Sequence, residues 1–181
     1  YGEGGGQVGD KGHISPDLEN THLAVNDTQK TDGVYLHIAT VEMGSIKVGD
    51  TVHVSVNIPR RRAIMRNHSA ALLLQNALRE VLGTHVEQAG SYVSDTVCRF
   101  DFTHFAALTA DEIQKVEALV NINILAANDI VTMETDIETA KKNGAMALFG
   151  EKYGSVVRMV KMGNFSTELC GGTHCNNTGK I

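Results

Sequence analysis

The sequence predicts an α+β protein: a small β-barrel over residues 1–58, then helices on a mainly antiparallel sheet over residues 59–181. Three observations predict it. Before Pro59, glycines punctuate short segments in which apolar residues recur at every second position. After Pro59 the apolar spacing becomes helical. Beyond the first long helix, strand-like and helix-like stretches alternate without internal repeat, which suits helices gathered on one face of a sheet.

Val34-Tyr35-Leu36-His37-Ile38 alternates as a strand. Gly49-Asp50 supplies a turn, and the stretch 51–58 puts Val52, Val54, Val56 and Ile58 on one half-buried face. Pro59 ends that ladder, having no amide hydrogen to donate. From Arg61 to Leu82 the residues Ile64, His68, Ala71, Leu72, Gln75, Leu78 and Leu82 share one helical face, with Gly83 as the stop. The segment 97–102 alternates again, with Cys98, Phe100 and Phe102 together. Thr109-Ala110-Asp111-Glu112 is a capping box, opening a helix whose Ile113, Val116, Val120 and Ile124 face the core. Residues 130–133 form a short strand, and Asp136 caps a helix that Gly144 ends. A last strand over 155–160 leads into the loop at Cys170.

Apolar residues are 42% of the chain, enough for a packed core, and no apolar run approaches the ~18 residues of a membrane span. No signal peptide is read, Tyr1 looks like a cut inside a strand or loop, and a cytoplasmic setting is expected. Three cysteines, two of them at 170 and 175, suit a reducing compartment and metal chemistry better than disulfides. The net charge of −5 argues against a strongly basic nucleic-acid binder. Positive charge is local. Arg60, Arg61, Arg62 and Arg66 fall within seven residues, either a solvated face or a contact for RNA phosphates.

The chemistry concentrates in Glu168-Leu169-Cys170-Gly171-Gly172-Thr173-His174. A thiolate and an imidazole four residues apart, held by two glycines, can close on a soft divalent metal, and His68 offers a second imidazole. Taken singly, each has a plainer reading: His68 as a satisfied core histidine, the glycines as a turn. Cys175 and Cys98 read as structural filler, and His13, His22, His37, His53, His85 and His104 as scattered polar residues. The run Gly4-Gly5-Gly6 suits close backbone approach to a ligand or to the second subdomain.

These motifs carry a family resemblance. E-L-C-G-G-T-H at 168–174, F-G-E-K-Y-G at 149–154, R-F-D-F at 99–102, N-H-S-A-A at 67–71 and G-G-G-Q-V-G-D at 4–10 resemble the editing domain of alanyl-tRNA synthetase. Free-standing alanyl-tRNA editing proteins share the first and last of these. The resemblance implies an aminoacyl-tRNA deacylase within an ATP-dependent ligase, hydrolysing the ester of tRNA(Ala) mischarged with serine or glycine. It implies Zn²⁺ as cofactor, held by His68, Cys170 and His174, with the tRNA acceptor end and the rest of the synthetase chain as partners. Gln88 and Ser91 fall at positions that the family places at the editing pocket, so His68, Gln88, Ser91 and Cys170 form the expected catalytic set. Thr173 is a candidate donor behind it.

The chain departs from the family pattern at two places. Leu72 stands where a second imidazole is expected in His-x-x-x-His, and Ala71 where threonine is frequent. The site is therefore expected either to lose its metal or to keep a three-ligand one with an added open position. Two alternatives follow: a tRNA-binding module without catalysis, and a metal-dependent hydrolase of small esters that binds no RNA.

Overall fold

The computed structural model describes residues 1–16, 21–146 and 154–181. Residues 149–153 of the F-G-E-K-Y-G stretch lie outside the described residues. The α+β reading is borne out: three helices and antiparallel sheets make up the described residues.

The first sheet holds β1 (Gly12–Ser15), β2 (His22–Thr31), β3 (Val34–Met43) and β4 (His53–Val56), in the order β3-β2-β1-β4. Every neighbouring pair is antiparallel. No ladder among the described residues joins β3 to β4. The β2–β3 hairpin turns on Asp32 (φ 50°) and Gly33 (φ 79°), the pairing of residues that a two-residue turn with positive φ favours. Ile14, Leu23 and Val25, with Val52 against them, form this sheet's own small core. The strand expected at 34–38 exists but is longer, and all its residues are exposed.

Pro59 begins a helix here. Strand β4 stops at Val56, and Asn57 caps α1 (Ile58–Leu82) through a 3.1 Å bond from Arg60 N to Asn57 Oδ1. Proline suits the first turn because its missing N–H has no intrahelical partner there. The single half-buried face expected for 52–58 is accordingly broken: Val54 and Ile58 are exposed, and Ile58 is already helical. Helix α1 ends at Gly83, whose φ of 115° only glycine adopts easily.

Helix α1 is the spine of the molecule. Leu72 and Leu73 pack on Ile130, Val160, Met162 and Cys175, against the sheet β7 (Ile130–Asp136), β8 (Val156–Met162), β9 (Ser166–Leu169). Ala77 and Leu78 pack on Val86 and Val116, toward the hairpin β5 (Gln88–Val93), β6 (Cys98–Phe102) and helix α2 (Ala110–Leu125). The capping box at Thr109 and Glu112 forms as expected. Of the residues expected to face the core from α2, Val116 is buried but Ile113 is 44% exposed. Asp136 caps α3 (Ile137–Lys142) through a 2.8 Å bond from Thr139 N, and Gly144 follows its end.

The glycine-rich start lies against β5. Val93 N donates to Gly6 O at 2.8 Å and Val8 N donates to Val93 O at 3.1 Å. A Cβ on Gly6 would fall 2.1 Å from Ser91 Oγ, so only glycine fits. The expected close backbone approach is thus met. It carries Gln7 into the interior of the C-terminal part.

Candidate metal centre and cleft

Helix α1 and the loop after β9 together build the centre. Residue 68 lies on the buried face of α1. The loop is held from β8: Arg158 Nη1 donates to Cys170 O and to Gly172 O, each at 2.7 Å. Cys170 N in turn donates to Arg158 O at 3.0 Å. The two glycines differ in role. A Cβ on Gly172 would lie 2.0 Å from His68 Cε1, whereas one on Gly171 would meet nothing within 4 Å. Gly172 is therefore needed for closeness to His68.

His68 Nε2 lies 3.4 Å from Cys170 Sγ, and His174 Nε2 lies 3.3 Å from the same sulfur. The two imidazole centroids are 4.5 Å apart. All three donor atoms lie within 4.8 Å of one another, the span of one tetrahedral ion with Zn–N and Zn–S bonds of about 2.0–2.3 Å. Sequence reasoning named all three.

Behind them it named Thr173 but not the parts played by Gln7 and Ser69. Gln7, fully buried, brings Oε1 to 2.8 Å from His68 Nδ1 and accepts from Thr173 N at 2.8 Å and Thr173 Oγ1 at 3.2 Å. An amide N–H can only donate, so the atom facing Thr173 N is the amide oxygen, and His68 Nδ1 must carry the proton. That tautomer leaves the Nε2 lone pair directed at the centre. Gln7 Nε2 is buried without a partner among the described residues. Behind His174, Ser69 Oγ lies 3.4 Å from Nδ1 and accepts from Cys175 N at 3.0 Å. The motif G-G-G-Q contained the one available signal for Gln7. Ser69 gave none.

Burial, aided by the Arg158 charge, pulls His68 down to about 4. Burial also holds His174 well below its ordinary value, with His68 and Arg158 adding to the effect. Both rings are therefore neutral near pH 7, the form that ligates a metal. The donor set, its spacing and its protonation fit zinc.

The centre opens on a cleft of about 110 Å³ whose walls include His68, Leu72, Gln88, Ser91, Glu168 and Cys170. That is room for a few waters or one small side chain. Gln88 and Ser91 project from β5, a strand not expected from the sequence. Leu72, one helical turn from His68, shares the wall. Glu168 is 4% exposed, and burial raises its carboxyl to about 8 against a 3.1 Å bond from Ser166 Oγ. Cys175 sits in the core below Leu72, away from the centre, as expected. The four arginines clustered at the start of α1 separate. Arg60 and Arg61 bind Gly9 and Asp10, while Arg62 and Arg66 are exposed. His13 and His22 are not scattered as expected: with Glu42 they bring donor atoms together on the outer surface of the first sheet.

Known proteins match the chain at both ends and throughout. Residues 1–60 match the family described as tRNA synthetases class II (A). Residues 157–181 match the threonyl and alanyl tRNA synthetase second additional domain. Curated relatives include the alanine–tRNA ligase of Alkaliphilus oremlandii, 54% identical over 182 residues and 100% of this chain. Those of Hydrogenovibrio crunogenus (52% over 181 residues) and Lachnoclostridium phytofermentans (alanine–tRNA ligase 1, 55% over 182 residues) also cover 100% of it. The chain spans 20%, 21% and 20% of these relatives' own lengths. The resemblance drawn from the motifs is borne out.

Proposed function

We propose, on the premise that this chain belongs with the alanyl-tRNA synthetases it matches from end to end, that it hydrolyses the ester of mischarged aminoacyl-tRNA. The observation that carries this is the meeting of His68, Cys170 and His174, two of which, His68 and Cys170, line a small cleft together with Gln88 and Ser91. The substrate is tRNA(Ala) bearing serine or glycine. A pocket that selects alanine by volume admits glycine, and it rejects an added hydroxyl by only about 10²-fold. A second, hydrolytic pocket restores accuracy. The cleft's 110 Å³ suits such small residues.

His68, Cys170 and His174 would hold zinc, which when bound supplies Lewis-acid polarisation and a lowered pKa for water. The chain's own groups do the rest. Gln7 keeps the Nδ1 proton on His68, so that Nε2 stays an acceptor. Gln88 and Ser91 present an amide and a hydroxyl to the amino group or side chain of the mischarged residue. Arg158 fixes the carbonyls on either side of Gly171, and so the loop that carries Cys170.

The test is hydrolysis of seryl-tRNA(Ala) by this chain, with added zinc and with chelator. Acceleration over spontaneous loss that chelator abolishes supports the reading. Binding of the same tRNA without any acceleration supports the second reading, a binding module. The apolar side chain of Leu72 in the cleft wall favours that second reading.

A further inference from the structure

A basic groove borders the metal centre. Arg62 and Arg66 stand one turn apart on α1, and among the described residues neither makes a hydrogen bond or ion pair. Together with Lys180, from the last turn of the chain, they line a groove of about 450 Å³. Among the described residues no carboxylate lines it. Lys180 Nζ is held at 2.7 Å by Asn176 Oδ1, a neutral partner that leaves its charge uncompensated. Some other surface cations are paired, Lys115 with Asp111, Lys141 with Glu138 and Arg99 with Asp101. In a chain of net charge −5, three unneutralised cations around one concavity form an anion site rather than an ordinary solvated face.

His174 belongs both to this groove and to the metal triad. An RNA strand seated on the groove lies beside His174, one residue of the triad. We infer that Arg62, Arg66 and Lys180 bind consecutive phosphates of the strand whose 3′ end enters the cleft. This rests on the proposed function and refines it, because Arg60 and Arg61 are taken out of the RNA surface. Their guanidinium groups tie α1 to Gly9 and Asp10. Phosphate, not base, is the group read. Two arginines and a lysine, with no Phe, Tyr or Trp in the lining among the described residues, offer charge more than a stacking platform.

The test compares the intact chain, Arg62→Gln/Arg66→Gln, and Lys115→Gln as a control that removes a positive charge elsewhere, on α2. The probe is an RNA hairpin with a single-stranded 3′ end, charged with serine. Binding is followed between 50 and 200 mM salt, and hydrolysis by single-turnover kinetics; these concentrations span the range where counterion release is readable. The double variant should bind about tenfold or more weakly at low salt, with a log–log salt slope shallower by about 1.4, near 0.7 per lost phosphate contact. Its saturated rate should stay at the parent value, and Lys115→Gln should match the parent in both. If the parent neither binds nor hydrolyses the probe, the functional reading fails and this inference with it. If the parent does both and the double variant keeps its affinity and slope, the groove assignment alone is wrong. A drop in saturated rate at unchanged affinity would also overturn it, because the arginines would then shape the centre instead of holding RNA.

Discussion

Gln7 Oε1 lies 2.8 Å from His68 Nδ1, across the junction between the glycine-rich start and the first long helix. The same oxygen takes the Thr173 amide at 2.8 Å, so one side chain ties the helix that carries His68 to the loop that carries Cys170 and His174. Replacing Gln7 with methionine keeps the volume and removes the acceptor. Zinc affinity should fall about 10–100-fold, as for other groups that orient a metal-bound histidine. The metal-free protein should also lose about 1–3 kcal/mol, because the Thr173 amide is left without its partner. Chelator competition and urea denaturation read the two effects separately. An unchanged zinc affinity would show that Gln7 has no part in orienting His68.

Leu72→His should move metal affinity and metal-free stability in opposite directions. An imidazole one turn from His68 points into the same cleft, and a fourth donor should raise zinc affinity tenfold or more, in the manner of closed four-ligand sites. Leu72 also belongs to the core with Leu73, Ile130 and Val160, so the metal-free variant should lose about 1–3 kcal/mol by burying a polar ring there. Elemental analysis after identical preparation, together with thermal melts with and without chelator, decides it. Equal zinc retention in both proteins would mean that position 72 does not reach the centre.

The glycines of the loop make an internal control. Gly172→Ala places a methyl 2.0 Å from His68 Cε1 and 3.0 Å from Gln7 Oε1, so it should displace the ring and lower zinc affinity at least tenfold. Gly171→Ala meets nothing within 4 Å and should bind zinc as the parent does. Similar behaviour of the two variants would contradict the described loop geometry.

Metal-free stability should peak near pH 6.5. Unfolded histidines take up protons below about 6.5, whereas His68 resists to about 4 and His174 also lies well below its ordinary value. The unfolded chain therefore binds more protons in that window, and stability falls as pH drops from 6.5 toward 4. Glu168 works the other way. Its carboxyl ionises near 4.5 when unfolded but near 8 in the fold, so its contribution is lost as pH rises from 4.5 through 8. Below 6.5 two histidines outweigh one glutamate, and above it Glu168 acts without them. Urea midpoints across pH 4.5–8.5 in the presence of chelator should trace this dome, an outcome that follows from linkage. Glu168→Gln should flatten the alkaline limb and His68→Gln should shrink the acid limb. A limb that survives its substitution belongs to another group.

What could be read from the sequence was the chemistry that acts locally. The capping box at Thr109 and Glu112, the Asp136 cap and the stop at Gly83 each depend on neighbouring residues and occur as read. The ligand types were legible because few residues bind a soft metal, and the motif order brought His68 together with Cys170 and His174. Strand β5 was not legible, since Gln88-Ala89-Gly90-Ser91 shows no apolar alternation. It is held by its ladder to β6 and by the backbone of Gly6 and Val8. The alternation at 34–38 marks β3 as a strand, yet both of its faces are exposed. The division of the arginines was equally hidden: Arg61 and Arg62 are adjacent in the chain, yet a helix turns successive side chains about 100° apart, so one meets Asp10 and the other faces the groove. Pattern reports what a residue is able to do. Contacts such as that of Gln7 with His68 depend on how separate elements dock, and only the tertiary structure decides that docking, because it is set by backbone pairing and close packing between distant segments.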